Sequence, residues 1–245
     1  MPGFTLFVSD LHLTAERPAA TQAFFWLLAG PAREADALYI LGDLFEYWAG
    51  DDDLGEPFNA SVAAALRSLA NAGIAVYFLQ GNRDFLVQRM FARAAGVTLI
   101  SDPTVVDLYG TRTVLLHGDT LCTDDKRYQA FRRRVRRPWF QRLLLLTPLS
   151  FRRRLIERTR RVSELEKRVK KTDIMDVNAQ AVAHTFREQG AQRIIHGHTH
   201  RPARHLHEVD GTPRERWVLS DWYTRGQYLK AAADGCEAVE IAFQS

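Results

Sequence analysis

The chain has 245 residues, 46% of them hydrophobic, and a formal net charge of +4, which suits one large α/β unit with a core of its own. No apolar run approaches the roughly 18 residues that a membrane-spanning helix requires. MPGFTLFVSD reaches an acid before a hydrophobic region matures, so no signal peptide is expected, and two distant cysteines, Cys122 and Cys236, fit a reduced compartment better than a disulfide framework.

In chain order, short apolar runs at Phe4–Val8, Leu38–Leu41, Ile74–Leu79, Val114–Leu116 and Arg193–Ile195 predict buried strands. Stretches near 19–29, 58–71 and 85–95 predict the helices between the first of them. This alternation predicts an α/β sandwich. Between Lys126 and Lys171 the texture changes: 18 Lys/Arg stand against three acids, whereas the remainder holds 15 basic and 26 acidic residues. Such a split predicts one electropositive module on an acidic body, facing a phosphate-rich or membrane-surface partner. Within it Phe151, Leu155, Val162, Leu165 and Val169 recur at helical spacing, and PWFQRLLLLTPL (138–149) is more apolar than a solvated loop should be. We read 124–172 as a helical insertion capping a single domain that spans 1–245. After His200, short strands near 205–209, 215–220 and 237–243, broken by DGTP and ADG, predict an antiparallel closing section.

Chemistry enters at the strand ends. HGHTHRP (196–202) places three of eight histidines at alternate positions, a pattern useless to a packed core but suited to metal ligation, since residues i and i+2 of a strand point the same way. Four further stretches follow predicted strands: SDLHL (9–13), GDLFEYW (42–48), GNRDF (81–85) and LHGDT (116–120). Ends of strands converge on one sheet edge, where open α/β sheets bind ligands. Asp10, His12, Asp43, Asn82, His117, His198 and His200 then form a set of two carboxylates, one amide and four imidazoles. Seven ligands are too many for one tetrahedral site and suit two adjacent ones with a shared carboxylate. Mixed N/O ligation without thiolate favours Mn, Fe, Zn or Co. Each motif alone is weak, because an Asp after Gly is often a turn or helix-cap residue. Their arrival in one order, each behind a strand, is what carries the reading.

D-x-H, GD, GN-x-D, HGD and GHTH in this order resemble the calcineurin-like metallophosphoesterases over nearly the whole chain. The resemblance implies a four-layer αββα sandwich of two mixed sheets flanked by helices. It implies one ion held by Asp10, His12, Asp43 and His200, and another by Asp43, Asn82, His117 and His198, with Asp43 bridging. The longer strings GDLFEYWAGDDD, GNRDFL, HGDTLCTDDKRYQAFR, IMDVN and HGHTHRP are similar to a branch of that family acting in lipid A synthesis. That branch hydrolyses UDP-2,3-diacylglucosamine to UMP and 2,3-diacylglucosamine 1-phosphate, usually with two manganese ions, on the cytoplasmic face of the inner membrane. Water activated by both ions is expected to attack the α-phosphate.

Further expectations follow from the same resemblance. Asp43, Asn82 and Arg83 are the catalytic candidates. Asn82, Arg83, Asp125, Ser163, Lys167, Lys170 and His198 are expected to contact the substrate. Many family members carry histidine where this chain has Arg83. A guanidinium is a poor proton donor, so Arg83 fits an anhydride, whose phosphate leaving group needs little protonation. His196 is expected to pack beside the ligands, Asp84 to orient a ligand histidine, and Asp51–Asp53 to form a solvated turn. His184, His205 and His207 carry no supporting pattern. A metal-dependent nuclease would share the ligands, but the basic segment lacks the aromatic interleaving of a nucleic-acid groove. Neither nucleic acid nor a protein partner is expected.

Overall fold

A computed structural model describes residues 3–169 and 176–243, the side chains of 160–169 excepted. Its first half runs β1 (Phe4–Val8), α1 (Pro18–Ala29), β2 (Ala37–Ile40), α2 (Pro57–Asn71), β3 (Ala75–Leu79), α3 (Arg89–Ala95), β4 (Thr98–Ile100), β5 (Thr104–Leu108) and β6 (Thr111–Leu115). Then come α4 (Lys126–Val135), α5 (Pro138–Leu145), α6 (Leu149–Val169) and α7 (Ala179–Gln189). The chain closes with β7 (Arg193–His196), β8 (Ala203–Val209), β9 (Thr212–Val218), β10 (Gly226–Ala232) and β11 (Gly235–Ile241).

Among the described residues eleven strands make two mixed sheets, β11-β10-β1-β2-β3-β4 and β5-β6-β7-β9-β8. β1 to β4 are parallel to one another, and β1 meets β10 antiparallel. Alternation along β1 sorts its side chains. Phe7 faces the second sheet and packs with Tyr39, Leu79, Leu115 and Ile195, whereas Leu6 and Val8 face Phe24 of α1 and Leu66 of α2. On the far side Val114, Leu116 and Ile194 pack against Val182 and Phe186 of α7. The layers are therefore helix, sheet, sheet, helix, and strands buried on both faces read as continuous apolar runs.

The closing section is antiparallel as expected, but its two hairpins part company. β8 and β9 extend the second sheet, while β10 and β11 extend the first. β4, β5 and β10 were not legible: β4 is three residues long, and β10 (GQYLKAA) begins behind a turn-like string. The helix predicted near 85–95 begins only at Arg89, because 81–88 is a loop.

The solvated turn expected at Asp51–Asp53 is absent. Asp51 is buried and caps α3: Oδ1 accepts the backbone N–H of Gln88 at 2.9 Å, and Oδ2 accepts those of Met90 at 2.8 Å and Phe91 at 3.0 Å. Asp52 and Asp53 pair with Arg152 and Arg153 of α6. Arg152 is itself only 2% exposed and also donates to the carbonyls of Ala49 and Thr147. The amphipathic helix predicted around Phe151–Val169 is thus hooked to the body by arginine. Along α4, α5 and α6, Phe131, Trp139, Leu143, Leu146, Phe151 and Leu155 remain exposed, while Leu144 and Leu145 pack on the core.

Candidate metal centre

The loops that follow β1, β2, β3, β6 and β7 meet at one edge of the paired sheets. The alternation argument for the D-x-H and H-x-H pairs does not hold. β1 ends at Val8 and β7 at His196, so both pairs lie beyond the strands. Asp10, His12, Asp43, His198 and His200 instead all take left-handed backbone, with φ between 48° and 71°. Asp and His tolerate this region better than most residues, at a cost of roughly 1–3 kcal/mol each. Five of the seven non-glycine residues with positive φ among the described residues are thus ligand candidates.

Two close approaches explain the glycines. A Cβ on Gly81 would collide with the Asp43 carboxylate, and one on Gly42 would meet Gly81 Cα. The first two loops pair directly, Asp10 N–H donating to the carbonyl of Gly42 and His12 N–H to that of Asp43. Asp84 does not orient a histidine as expected. It is fully buried and accepts the N–H groups of Gly81 at 2.7 Å and Leu44 at 2.8 Å, lashing the Asn82 loop to the Asp43 loop.

The seven ligand candidates come together. Asp43 Oδ2 lies 3.9 Å from His12 Nε2, and its Oδ1 lies 3.8 Å from His117 Nε2. On the first side, Asp10 Oδ1 is 3.3 Å from His200 Nε2 and 3.9 Å from His12 Nε2. On the second, Asn82 Oδ1 is 3.0 Å from His117 Nε2 and 2.9 Å from His198 Nδ1. The His117 ring is set by its Nδ1–H, which donates to the carbonyl of Leu41 at 2.9 Å and leaves Nε2 for the cluster.

These residues fit divalent cations. Asp10 is wholly buried, its Oδ2 accepts from Ser9 and from His198 N–H, yet Oδ1 has no hydrogen-bond partner. Donor atoms of Asp10, His12 and His200, and of Asp10, Asp43 and His117, all lie within 4.8 Å of one another. The electrostatics say the same. Burial, with Asp84 and Asp10 nearby, drives Asp43 up to about 7 although His117 opposes it. For His117, burial alone would lower the pKa, but Asp43, Asp10 and Asp119 raise it to about 9. Burial would also raise Asp10, yet the His200 imidazole beside it holds it well below the usual carboxylate range. Burial, with His117 beside it, lowers His198 to about 3. A buried carboxyl and imidazole that retain protons near neutrality mark a cluster short of positive charge.

Arg83 uses its backbone N–H on Asp43 Oδ1 at 2.8 Å, and its guanidinium lies 3.9 Å from Glu46. Asp125 is the N-cap of α4, accepting Tyr128 N–H at 3.1 Å. The side chains of Ser163 and Lys167, and Lys170 altogether, lie outside the described residues. His196 is buried, its Nε2 facing Arg216 at 3.0 Å and its Nδ1 the carbonyl of Gly197. His184 is exposed and pairs with Glu188.

Sequence reasoning missed Glu46 and Asp221, which stand behind His12 and His200 on the Nδ1 side at 3.5 and 3.8 Å. It also missed Tyr223, stacked on His12 at 5.3 Å with the Arg17 guanidinium 4.6 Å from its ring. Glu46 sits three residues after Asp43 in GDLFEYW, the signal that could have found it.

The sequence model of calcineurin-like phosphoesterases matches residues 5–202. The chain is similar to a UDP-2,3-diacylglucosamine hydrolase of Aromatoleum aromaticum, 54% identical over 92% of this chain and 91% of that protein. It is also similar to a UDP-2,3-diacylglucosamine hydrolase of Escherichia coli O17:K52:H18, 49% identical over 98% and 99%. A solved archaeal phosphodiesterase aligns over 97% of this chain and 99% of its own at 11% identity and TM-score 0.46, too distant to carry an argument. A family match over most of the length, joined to a buried N/O cluster at the strand ends, places this chain among the calcineurin-like phosphoesterases.

Proposed function

We propose that the chain hydrolyses the pyrophosphate bond of UDP-2,3-diacylglucosamine, giving UMP and 2,3-diacylglucosamine 1-phosphate, with two divalent ions, manganese foremost, held at the centre described above. The observation that carries the two-ion reading is Asp43, whose two oxygens face two different groups of donors. The substrate follows from the two relatives, both named for that hydrolysis. Bound there, the ions would neutralise phosphate oxygens and supply an acidic water as nucleophile.

The chain's own residues do the rest. Asp10, His12 and His200 define one side, Asn82, His117 and His198 the other, and Asp43 spans them. Asp84 and the Leu41 carbonyl hold Asn82, Asp43 and His117 in place before any ligand arrives. Attack at the α-phosphorus expels a phosphate monoester that is stable as an anion, so no side chain need protonate it. Arg83 beside Asn82 suits such a leaving group, offering fixed positive charge to the separating phosphates.

The helices α4 to α6 serve as the cap over this edge, within a single domain. Their exposed Trp139, Leu143, Leu146 and Phe151 among arginines suit acyl chains and an anionic lipid surface. No helix among the described residues is long and apolar enough to cross a membrane, and contact with the cytoplasmic face of the inner membrane is the reading we favour. Asp125, Ser163, Lys167 and Lys170 are assigned to the lipid phosphate and sugar. The test is a manganese-supplemented assay on UDP-2,3-diacylglucosamine with both products identified by mass. Equimolar UMP and 2,3-diacylglucosamine 1-phosphate, lost on chelation, supports the proposal. Cleavage of simple phosphodiesters or DNA without turnover of this substrate overturns it.

A further inference from the structure

The first helix of the basic segment reaches past the insertion and grips two of the ligand loops. Tyr128, Arg132 and Arg136 recur every four residues, so they share one face of α4 and its C-terminal cap. At the far end of that face, Arg136 donates to the carbonyls of Gln80 at 3.0 Å and Gly81 at 2.8 Å, and to the Gln80 side chain at 3.2 Å. Those two carbonyls immediately precede Asn82. One turn back, Arg132 Nε donates to Asp119 Oδ2 at 2.7 Å, and its Nη2 donates to Asp102 at 2.9 Å. Tyr128 O–H donates to the same Asp119 oxygen at 2.7 Å, while Gln129 donates to the Asp119 and Cys122 carbonyls. Asp119 lies two residues after His117. The Tyr128 ring stacks on His198 with centroids 5.8 Å apart.

All these contacts fall on one side of the centre. Asn82, His117 and His198 each have α4 behind them. The hydrogen bonds of Arg136 reach the chain just before Asn82, those of Tyr128 and Arg132 the acid just after His117. Charged donors aimed at backbone carbonyls hold a loop more firmly than neutral ones, and a ligand amide is only as well placed as the chain that carries it.

We propose that α4 is a strut that sets the Asn82, His117 and His198 group, with Arg136 and Arg132 as positioning residues for the second ion alone. This rests on the reading that those three side chains hold an ion. The strut also makes that side of the centre answer to the insertion, since the N-cap of α4 is Asp125, the residue assigned to substrate.

The test follows Mn2+ binding to the full chain by the electron paramagnetic resonance signal of the free ion, for the wild type, Arg136→Met, Arg136→Lys and Asn82→Ala. Arg136→Met should keep one tight ion and bind the other about 10–100-fold more weakly. Arg136→Lys, which can reach a carbonyl but not span two, should recover part of the loss. A thermal melt in chelator should leave Arg136→Met within a few degrees of the wild type. Two unchanged affinities, or both weakened together with a lowered melt, would overturn the strut. If Asn82→Ala still binds two ions as the wild type does, the ligand assignment fails first, and the strut with it.

Discussion

Glu46 stands behind His12: its Oε2 lies 3.5 Å from Nδ1, while the ring's Nε2 faces Asp10 and Asp43, each 3.9 Å away. A carboxylate on the far nitrogen fixes the tautomer and makes the near nitrogen a better donor to a cation. Asp221 stands in the same relation to His200 at 3.8 Å. Glu46→Gln keeps the shape and removes the charge. It should weaken the ion on the Asp10 side about 10–100-fold, leaving the other unchanged, as read by Mn2+ titration. Equal weakening of both ions would assign Glu46 a general electrostatic role instead.

Asp84 is the buried tie between two ligand loops. Asp84→Ala strands the N–H groups of Gly81 and Leu44, each worth about 1–3 kcal/mol when left unpaired. The variant should lose about 2–5 kcal/mol in urea unfolding under chelator, and bind metal more weakly. A loss below about 1 kcal/mol would mean that water replaces the carboxylate.

The pH dependence of the metal-free protein has a definite sign. His117 titrates near 9 in the folded chain and near 6.5 when unfolded. Above about 7 the unfolded chain has already released the proton that the folded chain keeps. Asp43, raised to about 7, gives up its proton across the lower part of the same window and acts with the same sign. Stability in chelator should therefore fall as pH rises from about 7 to 9. With metal present the imidazole is deprotonated by ligation, so the slope should flatten. Calorimetry in two buffers of different ionisation enthalpy at pH 8 should show proton release on metal binding. No release would remove His117 from the ligand set.

The exposed apolar residues of the helical segment give a separate prediction. Leu143→Glu with Leu146→Glu alters side chains that are 60% and 82% exposed, so stability should change by less than about 0.5 kcal/mol. Sedimentation with anionic phospholipid vesicles should fall, and KM for the diacylated substrate should rise with little change in kcat. Unchanged vesicle binding would place the lipid surface elsewhere.

How much of this was legible follows from the range of each interaction. β1, β2, β3 and the ligand candidates behind them are local patterns, apolar run then Gly-Asp or Asp-x-His; the strands form where expected, and the candidates follow them in space as in sequence. His198 and His200 occupy left-handed backbone past β7 rather than alternate positions on it, a loop geometry that the H-x-H spacing does not encode. Asp51, Asp84 and Arg152 were misread or passed over. Their partners lie about 40 to 100 residues away, and a lone acid or arginine shows nothing of that in sequence. Arg152 in particular reads as one of a solvated basic run and is buried instead.

The most direct measurement is the electron paramagnetic resonance spectrum of the protein loaded with two equivalents of Mn2+. A carboxylate shared through both oxygens holds its ions close enough for their spins to couple. The wild type should give an exchange-coupled pair, and Asp43→Asn a spectrum of isolated ions with turnover reduced at least about a thousandfold, some 4 kcal/mol of barrier. An uncoupled spectrum in the wild type, or substantial activity in Asp43→Asn, would contradict a centre built around one bridging aspartate.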